Sequence, residues 1–156
     1  MLAVALWVTA CSPVTSRPTT SEAHGGGLCQ VFTEGMAVAA LRGAVGAPSW
    51  GESATGDYCQ YTLAADADTT VEVRLEPMSP SDFAQLANAM MMDEQVEDLA
   101  EAAFKRHTGR DGLPGITVIA FGGGRCVTIT ITAEGDAELQ FDAADVTAEA
   151  VLVSAP

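Results

Sequence analysis

Apolar positions along this chain recur near every 3.6 residues in some stretches and every second residue in others, and the alternation predicts its elements. From Thr33 to Val45, Met36, Ala39, Ala40 and Gly43 fall on one helical face, with Thr33 placed to cap the first turn. Gly46 and Pro48 end that run. Period two takes over at Tyr58–Leu63, where Cys59, Tyr61 and Leu63 share a face. It returns at Thr70–Leu75, where Val71, Val73 and Leu75 alternate with Thr70, Glu72 and Arg74. Ala64–Asp68 joins the two strands as a hairpin-like turn, and its two aspartates lack the spacing of a calcium loop. Ser79-Pro80-Ser81-Asp82 is a helix start, with Ser79 as cap, Pro80 in first position and an acid three residues after the cap. Phe83, Leu86, Ala87 and Met90 continue it to Met91.

Glu94–His107 reads two ways. Val96, Leu99, Ala100 and Ala103 fit a helix, while Ala102–His107 suits a strand after a turn. Ile116–Phe121 and Arg125–Thr132 are strands joined by Gly122-Gly123-Gly124 as a tight hairpin. A phosphate cradle would need a helix directly after those glycines, and the alternation of Val127, Ile129 and Ile131 with threonines gives a strand. The same alternation sets Cys126 with Thr128, Thr130 and Thr132, on the face turned from the core. Asp142–Val153 closes the chain as a short helix capped by Asp142, although Ala150–Ser154 also suits a strand. Helix–strand–strand occurs twice. The expected fold is a single α+β domain, an antiparallel sheet of four to five strands with helices on one face.

Residues 1–27 follow neither period. Leu2–Ala10 is nine residues without a charge. Nine helical residues rise roughly 14 Å against a hydrocarbon core about 30 Å thick. The run is too short to span, but it suits the apolar region of a signal peptide with small residues before a cut site. Val8-Thr9-Ala10-Cys11 looks like a bacterial lipobox, in which the cysteine is acylated with a diacylglyceryl group and the chain is cut ahead of it. Two or more acyl chains anchor stably. No Lys or Arg precedes the apolar run, where a signal peptide carries them. Plain secretion with an incidental cysteine and an apolar first strand are the competing readings. Ser12–Gly27, rich in Ser, Thr, Pro and Gly, reads as a tether, and its His24 as a solvated linker histidine. The expected organisation is a lipoprotein signal peptide at 1–10, the lipidated Cys11 and flexible tether at 11–27, and the α+β domain at 28–156.

The 156 residues hold enough chain beyond the tether for one core. Lys plus Arg number 7 against 21 Asp plus Glu, a net charge of −14. Such a surface repels nucleic acid and anionic lipid headgroups, so neither is expected as a direct partner. With Cys11 assigned to the anchor, Cys29, Cys59 and Cys126 allow one bridge and one thiol, and an extracytoplasmic setting permits the bridge. Cys29–Cys59 is the preferred pair, with a bridge through Cys126 as the alternative.

Candidate chemistry changes this picture little. A triad needs a base beside its nucleophile, and His107 with Cys126 is the one such pair in the expected domain. A surface histidine beside Lys105 and Arg106, and a spare or bridged thiol, explain both residues as simply. No Cys-x-x-Cys or His-x-x-x-His spacing for zinc occurs. Met90-Met91-Met92 cannot turn three thioethers inward together on a helix, so it reads as core filling. Glu97 and Glu101 read as solvated carboxylates on one helix face. Trp50, in a Gly/Ser-rich loop, is the candidate contact residue. No catalytic residue, metal or cofactor is expected.

Leu28-Cys29, the helix ending in Gly46-Ala47-Pro48, and Cys59-Gln60-Tyr61 together resemble small actinobacterial cell-envelope lipoproteins with an uncharacterised domain. In those a cysteine precedes the first helix and a second sits two residues before an aromatic. The stretch Val96 to Phe104 is similar to their Leu-Gly-x-x-Ala-aromatic turn leading into strands and a glycine-rich hairpin, with Ala100 where glycine is usual. The resemblance covers most of 28–153. It implies a Cys29–Cys59 disulfide, strand character near 102–107 and no known activity. A helix followed by Gly-x-Pro is also similar to secreted β-lactamase-inhibitor-like domains and small outer-membrane-assembly lipoproteins, at the level of fold alone. The expectation is a non-catalytic binding or interaction module held on the outer face of the cell membrane by its lipid, with a protein or small ligand as partner. A secreted enzyme inhibitor and a small envelope enzyme are the alternatives.

Overall fold

The strictest alternation in the chain, Arg125–Thr132, forms the central strand of a seven-stranded antiparallel sheet. The computed structural model describes residues 27–53, 56–110 and 112–154. The lipobox with Cys11, and the tether up to residue 26 with His24, lie outside the described residues, and Gly27, expected as the tether's last residue, opens α1 instead. The elements run α1 (Gly27–Val31), α2 (Glu34–Leu41), β1 (Ser49–Ser53), β2 (Gly56–Leu63), β3 (Asp66–Pro77) and α3 (Pro80–Ala89). They continue with β4 (Glu94–Gln95), β5 (Ala102–Arg110), β6 (Leu113–Gly122), β7 (Arg125–Thr132) and α4 (Ala137–Ser154). The sheet order is β1-β2-β3-β7-β6-β5-β4.

The α+β class is as expected, but the sheet has seven strands rather than four to five. The additions are β1 and β4, both at edges. Their sequences, Ser-Trp-Gly-Glu-Ser and Glu-Gln, carry no apolar alternation. An edge strand needs one ladder and no buried face, so period two does not mark it. Residues 94–107 take the strand reading, with β4 and β5 separated by an irregular turn.

One face carries the main core. Ile129 of β7 lies opposite Val73 of β3 and Val118 of β6, and Ile131 lies opposite Val71 and Ile116; all six are fully or almost fully buried. Burying each such side chain stabilises by about 1.5–3 kcal/mol. Leu28, Phe32, Ala37, Ala40 and Leu41 from α1 and α2 cover this face, with Phe141, Ala144, Ala148 and Val151 from α4. The Sγ atoms of Cys29 in α1 and Cys59 in β2 lie at bonding distance, with Cα atoms 5.3 Å apart. The first helix is therefore tied to the sheet beside the edge-on contact of Phe32 and Tyr61. Thr33 precedes α2 without a side-chain cap bond, and the helix stops at Leu41 because Arg42 turns left-handed with φ 55°. It ends short of the expected Val45, which bridges to Leu63 instead. The last helix starts ahead of the expected Asp142, where the Asp136 carboxylate accepts from the Glu138 amide at 3.0 Å.

The helices do not all lie on one face. Helix α3 packs on the opposite side, where Phe83 and Ala87 meet Ile119, Phe121 and Cys126 in a second core. The reason is in β6: residues 116–121 are buried without a break, so both faces of that strand are covered. Cys126 does share a side with the β7 threonines, but α3 covers it and leaves it 1% exposed, contrary to the expectation that it faces away from a core. Ser79 caps α3 as expected, accepting from the Asp82 amide at 3.2 Å. Met90 and Met92 pack into this second core while Met91 is exposed. The β6–β7 connection is a two-residue turn at Gly123-Gly124 with φ 58° and 76°, the mirror-image turn that matches strand twist.

Candidate functional site

Register places the α3 side of the sheet in rows across the strands, since opposed residues of antiparallel strands project to the same side. One row runs Glu76, Cys126, Phe121 and Ala102. The next runs Tyr58, Arg74, Thr128, Ile119 and Phe104. Helix α3 shields the β6 part of these rows, and between the helix and the β5 edge it leaves an open groove of about 390 Å³. Ligand sites in proteins run from roughly 300 to 1,000 Å³ and are mostly apolar.

The groove exists because its walls are short where its floor is aromatic. Ala84 and Ala87 are the short α3 residues among those that line it, and Ala102 is their counterpart on β5. Alanine at these positions leaves the gap that a longer side chain would fill. Phe83, Phe104 and Phe121 supply the rings, with the Phe83 centroid 5.4 Å from Phe121 and 6.1 Å from Phe104, both pairs tilted. Asn88 and Glu101 add polar groups at the margin. Glu101 Oε1 accepts from the Gly123 amide at 2.8 Å, which ties the turn before β5 to the β6–β7 hairpin. At the other end the Arg106 guanidinium donates to the Met90 carbonyl, one of the acceptors that a helix C-terminus leaves unpaired.

Beyond α3 the same side of the sheet is polar. Gln60, Glu72, Thr130, Thr117 and Arg106 form one row, and Thr62, Thr70, Thr132, Gly115 and Thr108 the next. A shallow depression of about 260 Å³ lies over these rows. Gly115 is required there: a Cβ at this position would sit 2.6 Å from the Ile131 carbonyl oxygen.

The residues singled out from sequence do not meet in the groove. Trp50 is 41% exposed on β1 opposite Cys59, hence on the main-core side at the far edge of the sheet. His107 lies opposite Ile116 and stands edge-on to Phe141 of α4, 5.1 Å between centroids. Cys126 lies opposite Phe121, on the other side and roughly 17 Å along the strand direction. Burial pushes its thiol up to about 11. His107 and Cys126 are thus not a nucleophile–base pair. Glu97 and Glu101 share no helix face, because residues 97–101 are a succession of bends.

On the main-core side Lys105 pairs with Glu94 at 3.0 Å and lies over the Phe141 ring. The hydrogen bond that the Lys105 ammonium donates to Glu94 raises the Lys105 pKa. Burial raises that of the neighbouring Asp145 carboxyl, whose Oδ1 is buried with no hydrogen-bond partner among the described residues. Among the described residues no three His, Cys, Asp or Glu side chains converge as a metal ion would need, and no helix is long and apolar enough to cross a membrane.

Sequence reasoning missed the groove. The available signal was the unbroken apolar run Val118–Phe121, four residues that put apolar side chains on both faces of one strand and so demand cover on both. No family model matches the chain, and comparison with curated proteins and with solved structures finds none that is similar.

Proposed function

We propose that this chain is an extracytoplasmic, lipid-anchored binding module of the cell envelope that seats a small apolar ligand between α3 and β5. The observation that carries the reading is the groove itself, open, floored by Phe83, Phe104 and Phe121, and large enough for a ligand. Its lining offers aromatic and aliphatic contact with only Asn88 and Glu101 to orient a guest, a composition suited to holding rather than reacting. The location rests on different features. The Val8–Cys11 lipobox supports acylation at Cys11, the Cys29–Cys59 pair suits an oxidising compartment, and the resemblance to actinobacterial envelope lipoproteins points the same way.

Two measurements test the two halves. Mass spectrometry of the chain made in an actinobacterial host is expected to find residues 1–10 removed and Cys11 carrying a diacylglyceryl group, with Cys11→Ala shed from the membrane fraction. An intact, unmodified N-terminus in the cytosol would remove the location. For the groove, the neutral apolar fluorophore N-phenyl-1-naphthylamine is expected to brighten on binding. Ala84→Leu fills the groove from an exposed helix position and is expected to abolish the signal while leaving the circular dichroism unchanged. Undiminished binding by that variant would remove the groove from the reading.

A further inference from the structure

We infer that the occupant of the α3 groove is an organic cation, an apolar body joined to an ammonium group. The inference rests on the groove being a ligand site and adds the charge of the ligand. Glu101 is the charged side chain among the residues that line the groove. Its Oε1 accepts from the Gly123 amide, so the carboxylate is held at the margin, next in sequence to Ala102 and beside the Ala102–Phe121 pair of the floor. A carboxylate accepts several hydrogen bonds at once, so this contact leaves it able to take an ammonium donor.

The aromatic floor works in the same direction. Ring faces carry the negative end of the aromatic quadrupole and attract cations within about 6 Å. Among the described residues no Lys or Arg lines the groove to oppose this. Arg106, two residues along β5 from Phe104, is turned to the Met90 carbonyl at the end of α3. The molecule as a whole is acidic, with a formal charge of −14. An anionic amphiphile such as a fatty acid would place its head against Glu101, and a neutral one would leave the carboxylate and the ring quadrupoles unused.

The test uses three probes with one tail: octylammonium, 1-octanol and octyl sulfate, each as a monomer at pH 7 displacing N-phenyl-1-naphthylamine from the folded chain. The cation is expected to bind about three- to tenfold more tightly than the alcohol, the range of one exposed ion pair combined with one ring contact, with the sulfate weakest. Glu101→Gln keeps an acceptor for the Gly123 amide and removes only the charge. It is expected to remove the ion-pair share of the preference, moving the cation towards the alcohol, while leaving the alcohol unchanged. Glu149→Gln, exposed on α4 at the opposite side of the sheet, lowers the net charge equally and is expected to keep the preference. Equal binding of cation and alcohol by the parent chain, or a preference undiminished by Glu101→Gln, would overturn the assignment while leaving the groove in place. Failure of all three probes to displace the fluorophore, or equal displacement from Ala84→Leu, would overturn the groove reading itself.

Discussion

A thiol enclosed between a helix and a sheet obeys different chemistry from one on a solvated strand face. Cys126 touches the α3 cluster, and desolvation lifts its pKa from 9.0 to about 11, opposed by the Thr128 hydroxyl and assisted by the Glu76 charge. The folded state therefore holds its proton longer than the unfolded chain does. The resulting contribution to stability is complete below about pH 9 and is lost as pH rises from there through about 11. At pH 8 the folded thiolate fraction is about one hundredth of the unfolded one. Alkylation by iodoacetamide, followed by mass, is expected to be slower in buffer than in urea by at least that factor, since burial also blocks access. Equal rates would place the thiol at the surface. Asp145 is the carboxylate counterpart. Burial raises its pKa first of all, Lys105 lowers it and Asp142 raises it. A raised carboxyl pKa favours folding below the unfolded value of 3.8 and is lost as pH climbs through the folded value. At pH 7 the ionised, half-buried form carries the penalty. Asp145→Asn is expected to raise Tm at pH 7 by the equivalent of less than about 1 kcal/mol, since water screens the exposed part of the group. The gain should disappear by pH 3.5 in the same scanning experiment.

At the scale of elements, α1 shows how little a short helix can do alone. Five residues make barely more than one turn, below the length at which a helix holds itself in water. Its position depends on Leu28 and Phe32 packing and on the link from Cys29 to Cys59. Closing a loop of about 30 residues removes about 3–4 kcal/mol of chain entropy from the unfolded state. Cys29→Ala with Cys59→Ala is expected to lower the urea-unfolding free energy by that amount, and dithiothreitol should do the same to the parent chain. A chain indifferent to both would hold α1 by packing alone. The pairing was legible in part: alternation set Cys126 apart with the β7 threonines, and the resemblance to envelope lipoproteins implied the Cys29–Cys59 bridge, while a bridge through Cys126 stayed open until the structure placed it across the sheet from α1. Other elements were legible in part. Ser79-Pro80 fixed the start of α3, and the β2–β3 and β6–β7 hairpins followed from alternation and turn residues. The irregular segment before β5 was not legible. Val96, Leu99 and Ala100 pack on the main core at spacing that mimics a helix, while the bond from the Val96 amide to the Ala103 carbonyl at 2.9 Å continues the antiparallel β4–β5 register by one pair. Spacing of three and four arises wherever a bent segment leans on a core, so periodicity alone did not separate the two.

At the scale of the molecule, the two-sided cover of the sheet and the groove it creates depend on residues from 80–104 and from 121, brought together only by strand order. One-dimensional patterning carries no such order, which is why the site was missed while the class of fold was not. Charge is the whole-molecule property that the sequence states in full. Seven basic residues face 21 acidic ones. The radius of gyration of a chain this size is about 15 Å, and the screening length is about 30 Å at 0.01 M salt but about 10 Å at 0.1 M. At low salt each carboxylate therefore repels others across the entire fold, whereas at high salt it meets only its neighbours. Among the described residues the partly exposed ion pairs Arg74–Glu72 and Lys105–Glu94 oppose this by weakening as salt is added, but such pairs contribute about 0–1 kcal/mol each. Self-repulsion among an excess of 14 negative charges is the larger effect. Tm at pH 7 is accordingly expected to rise between 0.01 and about 0.3 M sodium chloride. The rise should shrink towards pH 4.1, where the formal charge vanishes. A Tm that falls with salt at pH 7 would mean that the local pairs, rather than the net charge, set the electrostatic stability of the fold.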